Sequence, residues 1–94
     1  MKFKLANPKT ELDKYLVYVE EVESPGLISQ AHEWIMEGWG LGTDSFPQEE
    51  QIAAALLMEA KTQDSCVKSG ETHPDYPKLL RSIAHKIMIL AGHW

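Results

Sequence analysis

With a single cysteine, Cys66, the chain cannot close an internal disulfide. Small secreted domains ordinarily depend on several such bridges, so the expected compartment is reducing and cytoplasmic. Long apolar runs are scarce as well. The longest, Ile52 to Met58, falls far short of the ~20 residues a bilayer requires, and no membrane association is expected. The opening Met1-Lys2-Phe3-Lys4-Leu5-Ala6-Asn7-Pro8 lacks the hydrophobic core of a secretory signal. Basic residues are few: nine Lys and Arg stand against fourteen Asp and Glu, for a net charge of −5. That balance argues against a nonspecific grip on nucleic acid. No repeat or Ser/Pro-rich linker interrupts the 94 residues, so residues 1–94 read as a single domain.

Signatures of chemistry are also missing. The four histidines, His32, His73, His85 and His93, include no pair at chelating spacing. His85 and His93 stand about two helical turns apart, too far to share one ion. Neither a metal nor a cofactor is therefore expected. Lys68 lies close enough to Cys66 to favour its thiolate, but a nucleophile also needs an oriented base and an oxyanion site. Gly38-Trp39-Gly40-Leu41-Gly42 carries neither the lysine of a phosphate loop nor a dinucleotide fingerprint. The expectation is a protein that is not an enzyme.

What the chain does have is an uneven charge. Residues 1–26 hold four lysines against five acids, residues 27–65 seven acids against Lys61 alone, and residues 66–94 four bases against two acids. An acidic middle thus precedes a mildly basic end.

Punctuation at Asn7-Pro8, Ser24-Pro25-Gly26, Gly38 to Pro47 and Ser69 to Pro77 divides the chain into four segments. The first is ambiguous. Thr10-x-x-Asp13 resembles a capping box, and Leu12, Tyr15, Leu16, Val19 and Val22 recur at helical spacing. Against this, Tyr15-Leu16-Val17-Tyr18-Val19 is rich in strand formers. A helix here would also place Glu20, Glu21 and Glu23 at its negative end. The expected arrangement is a two-stranded antiparallel hairpin, Lys2 to Ala6 against Lys14 to Val22, followed by three helices. That is a small, helix-dominated α+β fold; an all-α four-helix domain is the alternative. Edge pairing of Tyr15 to Val22 with a second copy would give a twofold homodimer.

The later segments read as helices. Ser24 and Pro25 form a cap and first turn, and Leu27, Ile28, Ala31, Ile35 and Trp39 trace one face. Ser45 and Gln48 have capping-box spacing before a second helix. Its Ile52 to Met58 run, apolar nearly all round, predicts a central position, with fraying from Asp64 to Gly70. A third helix is expected from Asp75 to Gly92, with Leu79, Leu80, Ile83, Ile87 and Leu90 as its stripe. Ile89 falls on the polar side with Lys78, Arg81 and His85, requiring either cover or tolerated exposure. The span Leu27 to Lys61 imitates a helix-turn-helix, but its connector is long and its second helix opens on Glu49 and Glu50.

Two tryptophans, Trp34 and Trp39, flank the acidic segment, and indoles anchor many interfaces. The expected role is therefore a non-enzymatic adaptor or inhibitor that meets a protein partner with a basic surface. Glu33, Glu37, Asp44, Glu49 and Glu50 would steer the encounter, and Trp39 and Phe46 would anchor it. The general profile is shared by proteins that occlude nucleic-acid-handling machinery, phage-encoded inhibitors among them. As an alternative, Arg81, His85 and Lys86 would receive a small anion such as a nucleotide in an oligomeric pocket.

Overall fold

The computed structural model describes residues 7–37 and 48–92, and every structural statement below concerns these. Four helices are present: α1 (Glu11–Tyr18), α2 (Leu27–Met36), α3 (Gln48–Lys68) and α4 (Asp75–Leu90). A π-helical turn, Val19–Glu23, extends α1. No strand occurs among the described residues.

The hairpin expectation is therefore corrected, since residues 14–22 are helical. Lys2 to Ala6, its other arm, lies outside the described residues. Two forces outweigh the strand propensity of Tyr15 to Val19. First, the Thr10 hydroxyl accepts the Asp13 N–H at 3.0 Å while the Asp13 carboxylate accepts the Thr10 N–H, closing both arms of a capping box. Second, Leu16 and Val19 bury against the other helices, with Leu12 and Tyr15 packed alongside. Tertiary burial overrides a residue's weak intrinsic preference. With helix at 14–22, the edge-strand route to a dimer disappears.

The π turn also answers the electrostatic objection to a first helix. Glu20 is buried, yet its carboxylate accepts both the backbone N–H and the hydroxyl of Ser29. Ser29 is the third residue of α2, whose N-cap, Gly26, supplies no side-chain bond. Glu20 thus caps α2 from a distance and places its charge at that helix's positive end. Gly26 adopts a φ of 82°, a left-handed turn that lets the chain reverse between the two helices. Accordingly Ser24 and Pro25 belong to this turn and do not form the cap and first residue of α2.

α3 is longer than expected. Helix persists through Asp64 to Lys68 and stops where Gly70, at a φ of 80°, donates to the Val67 carbonyl. The Glu71 N–H then reaches back to Cys66, which completes a Schellman stop. α4 begins at Asp75 as expected, with the Asp75 N–H donated to Nδ1 of His73. α3 and α4 form a helical hairpin, and α3 also packs on α2, α2 on the π turn, and α1 on α4. Each helix thus meets its neighbours around one core. Ile28, Ile52, Leu56, Leu80, Ile83, Ile87 and Val19 are its largest fully buried side chains. Ala31, Ala53, Ala55, Ala60 and Ala84 fill the spaces between them and let the backbones approach closely. Trp34 packs partly buried against this core. Ile89 is simply exposed, at 53%.

Candidate functional site

Two regions hold polar side chains that the core does not explain, one at each end of α3. The first is acidic. Glu33 and Glu37 are exposed at the C-terminal end of α2, and Glu49 and Glu50 are half-buried in the first turn of α3. Those helix ends are neighbours, because the Gln48 amide nitrogen lies 3.4 Å from each ring nitrogen of His32. Met36, between Glu33 and Glu37 in sequence, is 76% exposed, the most exposed large apolar side chain among those described. Burial holds the His32 pKa below its usual value, with the Glu20 carboxylate pulling the other way.

The placement of these acids has an energetic consequence. At the start of α3, Glu49 and Glu50 face the positive end of the helix macrodipole and stabilise it. At the end of α2, Glu33 and Glu37 face the negative end, and no basic residue occupies that last turn. Glu37, at the C-cap itself, therefore carries its charge against the macrodipole of its own helix.

Four of the seven expected partner-binding residues, Glu33, Glu37, Glu49 and Glu50, thus fall at the end of α2 and the start of α3. Trp39, Asp44 and Phe46 lie outside the described residues. Among the described residues, no group of three or more His, Cys, Asp or Glu side chains could hold a metal ion.

The second region lies at the far end of α3, about 27 Å from Glu50 along the helix at 1.5 Å per residue. Here Asp64, Val67, Lys68, Pro74, Pro77, Lys78 and Arg81 line a groove of ≈ 350 Å³. Arg81 grips Asp64 through both terminal nitrogens, a fork-to-fork pair that holds the Asp64 carboxyl below its ordinary range. The connector beneath is tied to α3 by a relay. Thr72 donates to Gln63 at 2.7 Å, and Gln63 donates to the buried Glu59. Glu59 in turn helps raise the pKa of Tyr76, where burial is the larger cause.

Of the alternative trio, only Arg81 belongs to this groove. His85 and Lys86 are exposed further along α4 and do not line it. Lys68 and Lys78, which do, are not among the expected ligand residues: Lys68 stands on a different helix, and the sequence places Lys78 only on the polar side of α4. The spacing of Lys78 and Arg81, one turn apart, was the available signal.

The chain matches no protein-family model, no curated protein and no solved structure in the three comparisons made. Among the described residues, no helix is long and apolar enough to cross a membrane.

Proposed function

We propose that this protein is a non-enzymatic interaction module, an adaptor or inhibitor whose acidic end binds a basic surface on a partner protein. One observation carries the reading: Glu37 stands exposed at the C-cap of α2, where its charge opposes the helix macrodipole, beside an exposed Met36. An exposed carboxylate whose charge is not answered by its own helix is well placed to meet a cation on a partner. Glu49 and Glu50 add to the same end, while Met36 supplies an apolar contact that a charged rim can surround. Trp39 and Phe46 remain the proposed aromatic anchors. The setting we propose is cytoplasmic.

The test is capture of a partner by the tagged full chain at low and high salt, repeated with charge reversals. A basic protein should be captured at low salt and released at high salt, and Glu37→Lys should weaken its capture. Finding no partner at low salt, or capture indifferent to reversal at Glu37, Glu49 and Glu50, contradicts the reading.

A further inference from the structure

The groove at the other end of α3 does not serve the acidic surface, and its composition is unlike that of the rest of the molecule. In a chain of net charge −5, three of its seven lining residues are cations. The lone acid, Asp64, is already committed to Arg81. The nearby acids, Glu71 of the connector and Asp75 at the start of α4, do not line it.

Lys78 sits in the first turns of α4, where a positive charge opposes the helix macrodipole, just as Glu37 does at the end of α2. The two bonds to Asp64 occupy two of the five N–H donors a guanidinium carries, leaving others for a ligand. That pairing also fixes the plane of the Arg81 fork before anything binds. The remaining wall is apolar and stiff. Pro74 and Pro77 have locked φ angles, and Val67 lies beside them on α3, so the surface is preorganised. A volume of ≈ 350 Å³ suits a ligand larger than a bare ion and lies at the small end of organic-ligand pockets.

We propose that this groove binds a nucleoside monophosphate, with its phosphate on Lys68, Lys78 and Arg81 and its base against Val67, Pro74 and Pro77. Two features select that ligand class. The cations line the groove from two helices, as a compact multiply charged group requires, and the wall beside them is formed by apolar side chains without donors of their own. Recognition would then depend on both halves of the ligand together. This inference stands apart from the acidic-end reading, because the two regions share no residue.

The test is titration of the full chain with adenosine monophosphate, inorganic phosphate and adenosine in separate arms, followed by backbone amide shifts. The nucleotide should perturb residues 64–81 and bind more tightly than either fragment. Combined Lys68→Ala and Lys78→Ala should weaken it at least about tenfold, as loss of charge-assisted bonds predicts. Both lysines are exposed, so the variant retains the core, which its melting temperature will verify. A control pair, Lys61→Ala with Lys86→Ala, removes the same charge outside the groove and should leave binding within about twofold. Shifts absent from residues 64–81, or an equal loss in the control pair, would overturn the proposal. So would inorganic phosphate binding as tightly as the nucleotide, or an acidic peptide displacing it with higher affinity. None of these outcomes bears on capture by the acidic end.

Discussion

Glu20 is the residue on which the first half of the molecule turns. Its buried carboxylate is tolerable because Ser29 supplies two donors and α2 presents its positive end. Ser29→Ala removes the hydroxyl donor and leaves part of that charge unanswered. Chemical denaturation should show a loss of roughly 1–3 kcal/mol, the usual cost of an unsatisfied buried partner. A neutral result would show that Glu20 is adequately held by the backbone alone.

His32 gives a second test at the same scale. Its folded pKa lies below the ordinary 6.5, so the folded state binds fewer protons than the unfolded one. Its contribution to stability is therefore complete above about pH 6.5 and is lost as pH falls below it. Melting temperature should decline as pH falls through this window, and His32→Gln should flatten the decline. Neither residue was legible in the sequence, because each depends on a neighbour brought close only by the fold. Ser29 lies nine residues from Glu20, and Gln48 lies sixteen from His32.

At the level of the element, α4 was readable almost to its ends, and α3 in position if not in length. Both follow from side-chain periodicity that burial simply honours, as Leu80, Ile83, Ala84 and Ile87 show. The first segment misled for a physical reason. Its β-branched and aromatic run favours strand locally, while its spacing suits a buried helical face, and spacing prevailed once other helices were present. The capping box at Thr10 and Asp13 was the better guide. The end of α3 went unread because a Schellman stop depends on the φ of one glycine, not on a composition. Gly70→Ala tests it. No atom lies within 4 Å of an added Cβ, so the cost is conformational only. Unfolding should show about 1–2 kcal/mol of destabilisation, the penalty of a left-handed non-glycine residue. A smaller change would mean that the helix end can shift without loss.

Across the whole molecule, the unequal charge visible in the sequence becomes a polarity along α3. Glu49 and Glu50 stand at one end, Lys68 and its neighbours at the other. The acidic half of the candidate site was legible because charge runs survive folding as surface. The basic groove was not, since it is assembled from two helices and their connector. In both regions the decisive feature is a charge set against its own helix, Glu37 on α2 and Lys78 on α4. Such placements cost a little stability, so reversing one separates folding from binding.

Glu37→Lys makes that separation measurable. Relieving the macrodipole should raise stability by about 0.3–1 kcal/mol. The most direct measurement is therefore the dissociation constant of the captured partner across a salt series, taken beside the melting temperature, for the natural chain and for Glu37→Lys. A variant that melts higher yet binds more weakly, with the difference shrinking as salt rises, is the predicted result. Unchanged affinity at low salt, in a variant that is folded and at least as stable, would contradict it.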